Sequence, residues 1–347
     1  MTGRHFGLAL GLVVFLVAGL AWQPTFGQDA GETAADAEWA PARTPWGAPD
    51  LQGIWTSGYI LTPLERPDGF EGREFVTEEE RAELEAAVLT RVDASVGGTR
   101  QRGSGDDVGT YNSAFSGFGR EVISTGRTSQ IIDPPDGKVP WIPEGRERHA
   151  AEMVSTATER GRFLAEDNDR GGDGPEDRPN DRCLGASIPL RFAAASSSAT
   201  LHRIVQSPDL VSIYYEHGHN GGAYRHIPLD GRPHLPGGIR QYLGDARGRW
   251  EGDTLVIDTT NFSDKTNYEG SRDNLHLVER FTRTGPGELL YQATIEDETV
   301  FTRPWTIEIP MTELDNRENR IYESACHEGN YALTSILMGA RLLEAQR

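Results

Sequence analysis

From residue 203 to residue 325 the sequence repeats one pattern: short runs of alternating apolar and polar residues, separated by clusters of Gly, Pro, Asp and Asn. Alternation with period two puts every second side chain on one face, the mark of antiparallel strands with one face buried. The runs are 203–207, 210–217, 223–229, 254–260, 275–283, 288–297, 302–309 and 320–325, and Asp209, Gly252-Asp253 and Pro286-Gly287 fall where turns are needed. Eight strands in about 120 residues predict a mainly β chain that closes into a barrel or stacks as a sandwich.

The N-terminal segment bears on the compartment. Arg4 and His5 precede an apolar run, Phe6 to Leu20, broken only by glycines, and a small-residue stretch ends near Gly27. This is the pattern of a cleavable signal peptide over residues 1–27, too short for a membrane span of about 20 apolar residues. A periplasmic or secreted protein without a membrane span is expected. Residues 28–44, rich in Ala, Glu and Asp, predict a disordered leader, and structure is expected to begin near Trp46. Residues 45–345 are then one domain. Cleavage after residue 27 removes Arg4 alone among the charged residues and moves the formal charge from −19 to −20. Such a field repels phosphate backbones and anionic lipid, which disfavours nucleic acid and membrane surfaces as partners. Cys183 and Cys326 are the two cysteines. In an oxidising compartment they are expected to form a disulfide.

Helical signals fall in an insert over about 77–182. Thr77 and Glu80 form a capping box for a helix over 77–92, and helix formers fill 144–165. The acidic stretch 167–181 lacks the oxygen-ligand spacing of a calcium-binding hand and reads as a loop. Leu51–Thr56 is a first strand. A second, 128–133, runs into Pro134-Pro135-Asp136-Gly137, where proline presets φ and glycine tolerates positive φ, so a hairpin is expected.

An ionisable residue in phase with apolar strand neighbours is the informative kind, because burying it is costly unless it pairs or serves a ligand. Glu279 stands in the face of Leu275, Leu277 and Phe281, and Asp297 ends the face of Leu289, Tyr291, Ala293 and Ile295. Arg303 begins the face of Trp305, Ile307 and Ile309; Arg225 shares that of Ile227 and Leu229; Val211, Ile213 and Tyr215 lead to His217. Two acids, two arginines and a histidine thus project into one interior, either as an ion network that fixes it or as a site. His217, His219, His226 and His234 form a second cluster. The step from His217 to His219 resembles the two-histidine step of cupin metal sites, without the following carboxylate and later histidine; Glu216 is a possible extra ligand. In Cys326-His327-Glu328-Gly329-Asn330-Tyr331, His327 is a candidate site wall. No phosphate loop, dinucleotide fingerprint or nucleophile elbow is present, so no nucleotide cofactor is expected.

Longer phrases carry a family resemblance. They are Pro45-Trp46-Gly47 with Pro49-Asp50-Leu51-Gln52-Gly53-Ile54-Trp55, Asp133-Pro134-Pro135-Asp136-Gly137, Asp181-Arg182-Cys183-Leu184, Ile227 to His234, Gly248 to Leu255, Asp258 to Phe262, Glu279-Arg280-Phe281 and Ala325 to Tyr331. In these the chain resembles a large family of exported, mostly uncharacterised proteins of Gram-negative bacteria, over residues 45–341. The resemblance implies export, one continuous domain and a defined set of polar residues. It also implies a histidine shortly before Arg225, a place that either His217 or His219 fills. Leu51-x-Gly53-x-Trp55 resembles the first strand of lipocalin-like barrels.

The expected architecture is a single lipocalin-like antiparallel β-barrel with peripheral helices. The expected function is binding of a small, partly apolar ligand by Arg225, Arg303, Asp297, His234, Tyr291, Trp305 and Asn261. An alternative is a lyase, hydratase or isomerase using the same pocket, with Glu279 and His217 or His219 as acid and base, Arg225 stabilising negative charge and His327 at the wall. A third reading is metal-assisted chemistry on the clustered histidines.

Overall fold

A computed structural model describes residues 39–57, 62–96, 122–150, 201–215, 223–317, 321, 327–329 and 331–346. The signal peptide, residues 28–38 of the leader, Cys183, Cys326, Glu216, His217 and His219 lie outside them, as do 151–165 and the acidic loop.

Ten strands form one antiparallel sheet. They are β1 (Gly53–Thr56), β2 (Ile131–Asp133), β3 (Leu201–Gln206), β4 (Leu210–Tyr215), β5 (Ala223–Pro228), β6 (Asp245–Glu251), β7 (Thr254–Thr260), β8 (His276–Gly285), β9 (Glu288–Glu296) and β10 (Trp305–Leu314). The hydrogen-bonded path runs β5-β4-β3-β1-β10-β9-β8-β7-β6, with β2 off the path against β10. It curls into a nearly closed nine-strand barrel whose end strands β5 and β6 come into contact. The expected class, a mainly β antiparallel barrel with few helices, is the observed one.

Local chemistry starts several elements. Helix α1 (Glu78–Val96) opens with both arms of the capping box: Glu80 N–H donates to Thr77 Oγ1 (3.2 Å) and Thr77 N–H to Glu80 Oε2 (2.9 Å). These bonds satisfy backbone donors that the first helical turn leaves open. Residues 143–150 are helical (α2), the described part of the second expected helix. Gly252 (φ 60°) and Gly287 (φ 71°) take the left-handed conformation in the turns expected of them.

The structure departs from these expectations at five places. Structure begins earlier than Trp46, since Arg43 bridges to Pro49 and Thr44 N–H donates to Ala48 O (2.8 Å). The 134–137 turn closes, with Gly137 N–H donating to Pro134 O (3.0 Å), but it makes no hairpin; β2 pairs with β10 through Ile131 and Ile307, because Ile131 is buried in the common core. Strand β6 has no counterpart among the sequence runs, because two of its inward positions are Ala246 and Gly248, which carry no apolar period. Helix α3 (Tyr331–Glu344) closes the described chain and was likewise not expected. Of the 320–325 run only Ile321 is described, and it is not in a strand.

The barrel interior sorts into two halves. Toward the Gln206–Leu210, Glu251–Thr254 and Gly285–Glu288 connections the inward side chains are Val211, Ile227, Leu255, Phe281, Leu289 and Met311, all buried. This half is mainly apolar, with Gln206 and Arg283 as its inward polar residues, Arg283 lying over the Trp55 ring. Toward the opposite end, where β3, β5, β8 and β10 begin, the buried set includes His202, Tyr215, Arg225, Thr259, Glu279 and Trp305. Among the described residues no helix is long and apolar enough to cross a membrane.

Candidate functional site

The seam between β5 and β6 explains why Arg225 lies where it does. No backbone ladder joins these strands among the described residues. A methyl group on Gly248 would lie 2.7 Å from Ile227 Cγ2 and 2.5 Å from Leu229 Cδ2, so glycine lets β6 approach the inner side chains of β5. Ala246 and Gly248 send nothing long across the lumen. Arg225 therefore passes over β6 to reach β7 and β8.

Its guanidinium makes three hydrogen bonds and an ionic contact. Nη1 donates to Glu279 Oε1 (3.0 Å) and Tyr215 Oη (2.9 Å), Nη2 donates to Thr259 Oγ1 (2.9 Å), and Nη2 also lies 2.7 Å from Glu279 Oε2. Tyr291 donates its hydroxyl to Glu279 Oε1 (3.0 Å). The Arg225 and Glu279 side chains are 3 % and 0 % exposed. Burial opposes the charge on Arg225, but Glu279 and Tyr215 outweigh it and raise its pKa, so the guanidinium stays charged. Burial pushes the Tyr215 hydroxyl up to about 12; burial and the Glu279 charge push that of Tyr291 well above its usual value. Glu279 thus accepts hydrogen bonds from Arg225 on one side and from Tyr291 on the other.

Two donors in this half are left over. Arg225 Nε and Trp305 Nε1 are buried without a hydrogen-bond partner among the described residues. Trp305 is fully buried at the inward start of β10, against Tyr268 (ring centroids 6.1 Å apart) and Phe301 (5.5 Å). A buried donor without an acceptor costs about 1–3 kcal/mol, so native proteins keep few of them. His202 belongs to the same half, with its ring 5.2 Å from that of Tyr215, and burial holds it down to about 3, a neutral ring. The sequence reading missed His202 because it began that strand at residue 203; one residue more puts 202, 204 and 206 in phase.

The other candidates separate from this cluster. Arg303 is exposed and pairs with Asp133 (2.5 Å), because residues 302–303 form a bend before Pro304 and the strand phase does not reach back to them. Asp297 is buried but holds a turn, accepting from Ser271 Oγ (2.5 Å), Thr299 N–H (2.9 Å) and Thr299 Oγ1 (2.6 Å). Asn261 (φ 56°) donates from its side-chain amide to Leu235 O (2.8 Å) and Pro236 O (3.3 Å), tying the β5–β6 connection to the end of β7. His327 and Glu328 sit exposed in the turn before α3. His226 points outward to Ser212 Oγ (2.8 Å). Of the expected set, the barrel brings Arg225, Glu279, Tyr291 and Trp305 to one half of its interior.

His234 joins a chain of groups on the outside of the same strands. Its Nδ1 lies 3.1 Å from Asp245 Oδ2 and its Nε2 2.9 Å from Asp258 Oδ1; Asp258 Oδ2 lies 3.1 Å from His276 Nε2, and His276 Nδ1 2.9 Å from Glu296 Oε2. Arg247 closes one end on Asp245 (2.6 Å). The hydrogen bond to Asp258 leads in raising His276 to about 9, with Glu296 adding to it against burial; the bond from His276 in turn lowers Asp258. Both ring nitrogens of each histidine are taken up by carboxylates. Among the described residues no group of His, Cys, Asp and Glu has a metal-binding arrangement.

The ladders and the lumen together define an antiparallel barrel with a buried, charge-paired polar half. No family model and no curated protein matches the sequence. Among solved structures the chain is similar to the fluorescent protein UnaG, in its wild-type form and as two single-residue mutants, at 14% identity. The match covers 39% of this chain and 84% to 86% of those chains, with TM-scores of 0.23 to 0.24. The assignment as a barrel rests on its own strand ladders.

Proposed function

We propose that this protein is exported and binds a small, partly apolar molecule in the polar half of its barrel. One observation carries the reading: Arg225 Nε and Trp305 Nε1 are buried donors of the lumen without acceptors among the described residues. A bound molecule that supplies acceptors removes that cost, while the aromatic and aliphatic walls of Trp305, Tyr291, Ile295 and Ile307 supply apolar contact. A nine-strand barrel is of the size that encloses one small ligand. Export rests on the basic start, apolar run and small-residue stretch of residues 1–27.

Native mass spectrometry of the protein recovered from the periplasmic fraction tests both parts. The expected result is a chain beginning near residue 28 that carries a small-molecule adduct lost on denaturation. Nile red, a neutral carbonyl dye, should bind the emptied barrel, and Trp305→Phe, which removes the indole N–H and keeps an aromatic ring, should weaken it about five-fold, ~1 kcal/mol. Absence of an adduct together with no dye binding overturns the proposal.

A further inference from the structure

The charge pattern of the lumen narrows the ligand class. We infer that the barrel takes a neutral molecule presenting a carbonyl or ester oxygen, and discriminates against carboxylates. This rests on the lumen being the binding site.

An arginine inside a barrel invites a carboxylate ligand, because the guanidinium is a forked donor that matches carboxylate geometry. Here that match is already made within the protein. Glu279 sits against Arg225 at 2.7 Å, and both side chains are withdrawn from water. A second carboxylate would bring a negative charge next to Glu279 in a low-dielectric interior, where like charges repel far more strongly than in water. No compensating cation stands nearby among the described residues. His202 is held neutral by burial, and Tyr215 and Tyr291 keep their protons. Asp297, at the same end, adds negative charge, and Glu269 there faces His149 (3.2 Å). At the opposite end of the barrel Arg283 lies against Glu313 (3.5 Å) and over the Trp55 ring (4.9 Å). The whole chain carries a formal charge of −19, which lowers the local concentration of anions as well.

Two of the unmet groups in this half are donors; Glu279 Oε2 is also without a hydrogen bond among the described residues but lies 2.7 Å from Arg225 Nη2, whose charge already balances it. Arg225 Nε and Trp305 Nε1 each need an acceptor. A cation offers none and would meet the Arg225 charge. An uncharged oxygen of a ketone, ester or amide satisfies the donors without adding charge.

Two matched pairs of probes test this with the full mature chain at pH 7.5, read by quenching of tryptophan fluorescence. They are 2-dodecanone against dodecanoate, and 2-acetonaphthone against 2-naphthoate. In any pair that binds, the ketone should bind at least ten-fold tighter. In Glu279→Gln, which keeps an acceptor for Arg225 and Tyr291 but leaves the guanidinium charge unbalanced, carboxylate affinity should rise at least ten-fold. This gain cannot come from misfolding. A carboxylate that binds the wild-type barrel as tightly as its ketone overturns the ligand class while leaving the binding reading standing. If neither member of either pair binds, the ligand class and the binding reading both fall.

Discussion

Strands β7 and β8 carry two charge networks back to back. Inside the barrel Thr259 and Glu279 hold Arg225; outside it Asp258 and His276, one residue or three away in sequence, belong to the chain that runs from Asp245 to Glu296. The inner pair is sealed from water, and loss of either member would leave a buried charge unpaired. The outer groups are partly exposed, with His276 33 % and Asp258 29 % accessible, and water stands ready to replace any lost partner. Contacts of similar length therefore differ in consequence: burial makes the inner pair all-or-none, whereas the outer chain is graded.

The largest effect that would test this contrast is Arg225→Met. It leaves Glu279 buried and alone, and should cost about 3–5 kcal/mol in urea unfolding. The double variant Arg225→Met with Glu279→Leu should recover most of that loss, because a buried pair replaced by apolar groups is often neutral. If the single variant costs under about 1 kcal/mol, the inner pair is no more demanding than a surface contact and the contrast fails.

Gly248→Val comes next. Its side chain would collide with Ile227 and Leu229 at the seam that Arg225 crosses, for about 1–3 kcal/mol. An unchanged urea midpoint would mean that the seam is looser than drawn. The smallest effect belongs to the outer chain, where His276→Gln should cost about 1 kcal/mol or less near neutral pH and lose most of that cost in high salt. Because His276 is raised in the folded state to about 9, its contribution is complete below its ordinary value and is lost as pH rises through about 9. The wild type should therefore lose stability across that alkaline range, and His276→Gln should flatten this part of the curve. A variant curve parallel to the wild type there would remove His276 as the cause. Asp258 runs the other way: lowered in the fold, its contribution disappears as pH falls through its folded value.

Much of this architecture was legible because a strand face is a local property. The alternation in 275–283 and 223–229 was enough to turn Glu279 and Arg225 inward. The same rule failed at Arg303, where Pro304 and a bend interrupt the phase, and at β6, where two of the inward residues, Ala246 and Gly248, are too small to register as apolar. His202 was lost to a one-residue boundary. Nothing local marks the outer chain, since His234, Asp245, Asp258, His276 and Glu296 come from one connection and four strands, each an ordinary polar position on its own.

The sequence by itself determined which side chains a strand would bury and which residues would turn it, because both follow from backbone geometry over a few residues. Which strands become neighbours was decided by the tertiary structure: β1 enters between β3 and β10, and β5 meets β6 across a seam. Pairing between distant segments depends on how all the buried faces fill one interior at once. That collective packing, which no short stretch encodes, brings Arg225 to Glu279 from 54 positions away.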